Sequence, residues 1–335
     1  MKLICAFCFF LLLGSCAMTS YHESKINGVS YVASNDSINE KNIRPVLNIH
    51  ANYAALMPFG FIRELSHPEI QYNSDKQWFG ETKAGVKQYI KVLKKDGIHI
   101  MMKPQIWVWR GEFTGMIKMI TETDWLVLEK SYSKFILDYA EIAQELNVEI
   151  FCIGTELESF IDARPDYWNH LIVEIKKVYK GKLTYAANWN EYNRTPFWSD
   201  LDYIGIDGYF PVSDLKTPTV EACKLGLKRW KTEMKLYSEK FNKPILFTEF
   251  GYRSVDFTGK APWQSDRDMN VVNLNAQTNA MQAFFETFWH EDWIAGGFIW
   301  KWYHNNDRAG GNDNTRFTPQ NKPAEAIIKD VYFKN

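Results

Sequence analysis

Short apolar runs alternate with longer stretches of helical period along most of this chain. Runs at 28–34, 52–60, 98–107, 148–156, 182–189, 201–210, 244–250 and 296–302 read as strands, rich in β-branched and aromatic residues. Between and after them, 37–50, 81–97, 131–146, 165–180, 219–241, 270–290 and 322–332 space their apolar residues as helices do. Strand–helix alternation implies a parallel sheet. Eight strands so arranged in a chain of this length imply a single (β/α)8 TIM barrel over residues 28–335. An open doubly wound sheet is the structural rival. It is disfavoured because no G-x-G-x-x-G follows a strand and no Walker A motif occurs.

The barrel reading directs attention to the C-terminal strand ends, where active sites of this fold lie. Glu249 ends the seventh run, "PILFTEF", and Gly154-Thr155-Glu156 ends the fourth. A carboxylate closing an apolar run is costly unless it is paired or chemically used. The other ends offer Lys103 and Trp107 (third), Asn188 and Trp189 (fifth), Asp207 and Tyr209 (sixth) and Trp300 (eighth). Glycoside hydrolysis needs two carboxyls flanking the scissile bond, held in different protonation states. Tyr209 can donate a hydrogen bond to the nucleophile, and Trp300 can stack under the reacting sugar. Either Glu taken singly can equally be a buried carboxylate paired with Lys103 or Arg253. Asp207 reads as structural or functional. Lys103 can bind substrate hydroxyls, pair with a Glu, or form a Schiff base with a carbonyl substrate.

Composition narrows the partners. The chain carries 39 basic and 40 acidic residues, with no basic stripe, which argues against nucleic acid. Aromatics reach 16%, and Trp78, Trp107, Trp109, Trp125 and Trp263 fall in the expected βα loops, where they suit sugar subsites or seal loops onto the barrel. No His pair has metal-ligand spacing, so neither metal nor cofactor is expected. Lys2 and the apolar residues 3–13 form a leader too short to span a bilayer, ending in Leu13-Gly14-Ser15-Cys16. That ending resembles a bacterial lipobox. It implies a signal peptide over 1–15, a lipid on Cys16, a tether over 16–27 and a place at the cell envelope, periplasmic or surface-exposed, with the lipid as the only membrane contact. Cys152 and Cys223 remain in the body as two free, buried thiols.

The blocks "MMKPQIW", "FCIGTELESF", "YAANW", "YIGIDGYFP", "ILFTEFGYRS" and "FTPQNKPAEAI" resemble glycoside hydrolase family 113, a clan A family of retaining enzymes known mainly as β-1,4-mannanases. The resemblance spans roughly residues 28–332. It implies Glu156 as acid/base, Glu249 as nucleophile, Tyr209 beside the nucleophile and Trp300 as sugar platform. Lys103, Asn188 and Trp189 carry over as further substrate contacts, and Trp107, from its place at the end of the third run, is expected to join them. Thr155 departs from the Asn that most of the clan places before the acid/base and that contacts the sugar 2-hydroxyl. The implied activity is an endo-β-1,4-mannanase acting on mannan, glucomannan or their oligosaccharides. The competing readings are a hydrolase of another β-glycan, a non-catalytic glycan-binding lipoprotein, and a lyase using Lys103.

Overall fold

The computed structural model describes residues 25–264 and 271–335. The leader and Cys16 lie outside the described residues. Eight parallel strands close into a barrel: β1 (Ile26–Tyr31), β2 (Tyr53–Leu56), β4 (His99–Met102), β6 (Ile150–Thr155), β7 (Lys182–Asn188), β8 (Ile204–Asp207), β9 (Ile245–Phe250) and β10 (Ile294–Trp302). β1 thus begins inside the stretch expected to be tether.

Two expected strands are broken by proline. The run 52–60 becomes β2 and β3 (Phe59–Ile62), parted at Pro58; the run 98–107 becomes β4 and β5 (Gln105–Val108), parted at Pro104. Proline lacks the N–H that a ladder requires. The two breaks stand side by side, with Lys103 N donating to Leu56 O at 2.8 Å and Gln105 N to Pro58 O at 3.0 Å. Beyond them β3 and β5 pair as a separate two-stranded parallel sheet, which lengthens the wall of the barrel mouth.

Helices α1 (Glu40–Asn48), α2 (Lys83–Lys95), α3 (Glu122–Glu145), α4 (Glu158–Ala163), α5 (Pro165–Val178), α6 (Val220–Phe241), α7 (Leu274–Phe288) and α8 (Pro323–Lys334) connect the strands. Thr82, Thr121, Thr219 and Asn273 cap their helices by accepting a backbone N–H. α3 starts well before the expected residue 131, because Thr121 caps it there while the exposed Leu126 and Val127 blur its apolar period. Trp125 is therefore a helix residue, buried and stacked on Phe160 at 5.6 Å, not a loop residue facing substrate. The main core lies between strands and helices. A second cluster takes one residue from each of six strands (Ile26, Ala55, Met101, Ile150, Leu246, Phe298) and plugs the barrel below the site. Cys152 and Cys223 are free and buried.

Candidate active site

Register aligns Asn188 with Asp207 and Asp207 with Glu249 across β7, β8 and β9. The β8–β9 pairing shifts between Ile206 and Asp207, leaving Thr248 as an extra residue on β9. A bulge of this kind re-aims side chains, and here both Thr248 and Glu249 reach the same cluster. Thr248 Oγ1 donates to Asp207 Oδ1 at 2.7 Å. Lys103 Nζ donates to Asp207 Oδ1 and Oδ2 at 3.0 and 3.2 Å and to Glu249 Oε1 at 2.5 Å. Gln105 Nε2 adds a bond to Glu249 Oε1 at 2.9 Å, and the Tyr209 hydroxyl donates to Oε2 at 2.7 Å. Glu249 thus accepts three donors, one of them charged, an arrangement suited to a carboxylate anion.

Glu156 stands in the opposite environment. It follows β6 directly, with φ 50°, and no described side chain donates to its carboxyl. Burial first, then the charges of Asp207 and Glu249, push its pKa well above the ordinary carboxyl value, against the opposing pull of Lys103. The two glutamates are therefore chemically unlike: one is held by donors, the other is pushed by its surroundings toward its neutral form. Burial and the Glu249 charge push Asp207 up to about 7, with Lys103 and Thr248 opposing.

Both glutamates open onto one cleft of about 890 Å³, lined also by Thr155, Asn188, Trp189, Asp207, Tyr209, Trp300, Trp107 and Trp263. Trp189 stacks on Trp263 at 4.9 Å, so the aromatic wall is built by two loops together. Trp107 meets Phe59 edge to face across the β3–β5 sheet.

Three expectations change. Lys103 does not line the cleft: it is fully buried, and its ammonium is spent on two carboxylates rather than presented to substrate hydroxyls. Burial alone would depress its pKa, but Asp207 and Glu249 more than offset this and hold it above the usual value, so it is not the neutral amine that a Schiff base needs. Arg253 donates to the carbonyls of Gln264 and Thr315, and it is Lys103 that pairs with Glu249. Trp78 and Trp109 are exposed and lie outside the cleft lining. The residues missed from sequence include Gln105, Lys301, Arg316 and Phe317, all of which line the cleft. Gln105 had a signal, since it follows Lys103 by two residues across Pro104 and so falls on the same side of an extended chain.

Comparison with known proteins fits this geometry. The sequence profile of Glycoside Hydrolase Family 113 matches residues 32–322. No curated protein matches the chain. Among solved structures, a GH113 β-mannanase from Alicyclobacillus acidocaldarius superposes with TM-score 0.80 at 20% identity, over 93% of this chain and 98% of that one. A GH113 β-1,4-mannanase does so with TM-score 0.80 at 23% identity, over 93% and 100%. A Ruminococcus gnavus β-glucuronidase is more distant, with TM-score 0.61 at 15% identity, over 92% of this chain and 50% of that one. With a profile match across most of its length, a closed (β/α)8 barrel and two unlike glutamates at the mouth, the chain belongs to glycoside hydrolase family 113, and it is a glycoside hydrolase.

Proposed function

We propose that this enzyme is a retaining endo-β-1,4-mannanase that cleaves mannan, glucomannan or manno-oligosaccharides by double displacement. The observation that carries the mechanism is the contrast between Glu249, held by three donors, and Glu156, which accepts from no described side chain and lies near the carboxyls of Asp207 and Glu249. On this reading Glu156 protonates the glycosidic oxygen while a Glu249 oxygen bonds to the anomeric carbon and the leaving group departs. Glu156 then takes a proton from water, which displaces Glu249. Asn188, Trp189 and Trp300 contact the reacting sugar, and Trp107 and Trp263 hold more distant units. The mannanase neighbours support mannan as the substrate. Hydrolysis of another β-glycan by the same pair is the second reading.

One set of experiments tests both. The soluble domain is incubated with mannan, glucomannan, xylan and cellulose oligomers, and a 2-fluoro-mannosyl inhibitor is used to trap the enzyme. Mannan products of β configuration and a label on Glu249 are expected. An α-configured first product, or carboxyls separated by the roughly 6.5–9.5 Å of inverting enzymes instead of about 5–5.5 Å, would sink the mechanism. Cleavage of xylan or cellulose alone would replace the substrate.

The same proposal places the enzyme at a bacterial cell envelope, held by lipid on Cys16, on the strength of the apolar leader and Leu13-Gly14-Ser15-Cys16. Mass spectrometry of the mature N-terminus checks this. An unmodified terminus elsewhere contradicts it.

A further inference from the structure

Glu191 lies in the loop after β7 and takes no part in the chemistry above. It is 2% exposed, so an acid group has been buried there at a cost. Its Oε1 accepts the Tyr185 hydroxyl at 2.7 Å, and its Oε2 accepts the Asn188 backbone N–H at 2.9 Å. The Tyr185 hydroxyl, its proton committed to Glu191, in turn accepts the Leu157 backbone N–H at 2.6 Å. Leu157 is the residue after Glu156. On the other side of Glu156, its own N–H donates to Ala186 O at 2.8 Å. Both peptide N–H groups flanking the Glu156 side chain are thus tied to β7, one directly and one through Tyr185. They fix a residue whose φ of 50° lies in the left-handed region that non-glycine residues seldom adopt.

We propose that Glu191, acting through Tyr185, is a positioning residue that holds Glu156 in the turn from which its carboxyl faces the cleft. The inference rests on the reading of Glu156 as the acid/base. Glu191 also makes a local turn, with its N–H donating to Asn188 O at 2.8 Å, but that turn does not account for the bond across strands to Leu157. The chemistry calls for a carboxylate. Tyr185 and Asn188 both present a donor, and a carboxylate offers an acceptor to each. A glutamine would set its NH2 against one of them. The same residue serves the strand ends of both β6 and β7, because Asn188, which lines the cleft, donates its backbone N–H to the same carboxylate.

The test compares Glu191→Gln and Tyr185→Phe with the wild type on two substrates. One is a manno-oligosaccharide, whose leaving group needs a proton from Glu156. The other is a dinitrophenyl β-mannoside, whose leaving group needs none. kcat/KM reports the first displacement, so a displaced Glu156 lowers it for the oligosaccharide by roughly 10–100-fold while the activated substrate stays near wild type. Equal loss on both substrates, or no loss on either, overturns the proposal. Tyr185→Phe removes one oxygen and keeps the ring, so it carries the test if Glu191→Gln fails to fold. Exchange of the Leu157 amide proton needs no substrate. It is faster in Tyr185→Phe if the link holds Leu157, and unchanged exchange overturns the proposal. Should the wild type cleave neither mannoside, the mannanase reading fails, while the Leu157 amide still decides the positioning link.

Discussion

A lysine removed from solvent keeps its proton only when anions surround it, and Lys103 has Asp207 and Glu249. The pairing works in both directions. Two carboxylates this close would compete for a proton without a cation between them, which would weaken Glu249 in the nucleophilic role proposed for it. Lys103→Met keeps the volume and removes the charge. We predict a loss of roughly 3–5 kcal/mol in stability, because the remaining buried anions are left uncompensated. Turnover falls with it. Adding Asp207→Asn should restore part of the stability by removing one anion, but not the activity. Urea unfolding of the two variants measures this, and a single variant as stable as wild type contradicts it. The sequence shows Glu156, Glu249 and Lys103 at strand ends, but it leaves Lys103 between three roles. Which role it takes depends on burial depth and on the angle of the Thr248 bulge, neither of which is written in the local pattern. Glu191 has no strand-end signal at all: it lies three residues past β7, in a polar stretch that reads as an ordinary loop.

At the scale of elements, the barrel strands were legible because each is an apolar run set off by helices or by polar loops. Their ends were less so, since Pro58 and Pro104 cut two runs while leaving the apolar pattern intact. The short α4 was missed because the residues after Glu156 carry too few turns to show a period. Close packing of elements produces a prediction that helix propensity gets wrong. Gly226 lies inside α6, where alanine ordinarily gains about 1 kcal/mol over glycine. A Cβ there would stand 2.0 Å from the Val212 carbonyl oxygen, which belongs to the backbone and cannot swing aside. Gly226→Ala should therefore destabilise by about 1–3 kcal/mol, the cost of overpacking. The glycine lets α6 approach the segment after β8, which carries Tyr209 beside Glu249. Thermal melting measures the sign, and a raised midpoint would show that α6 can move away at no cost.

Across the whole molecule, the site stores charge that the fold would be more stable without. The pKa of Glu156 is raised in the folded chain by burial and by Asp207 and Glu249, whereas in the unfolded chain it returns to the ordinary carboxyl range. Between those two values the folded state binds a proton that the unfolded state has released. Stability consequently falls as pH rises through that window, by about 1.4 kcal/mol per pH unit for one proton, and levels off above the folded-state value. Removing the titration should remove this loss. We predict that Glu156→Gln and wild type melt alike at acidic pH, below the carboxyl range. Their midpoints then separate as pH rises, the variant becoming the more stable although it has lost its acid. On the proposed double displacement the same proton governs turnover, because its first step needs Glu156 protonated. The alkaline limb of the kcat/KM profile should therefore fall over the pH range in which the stability gap stops widening. Differential scanning calorimetry across pH, set beside the rate profile, compares the two. A constant gap between variant and wild type would show that Glu156 keeps an ordinary carboxyl pKa in the fold, leaving another group to carry the alkaline limb.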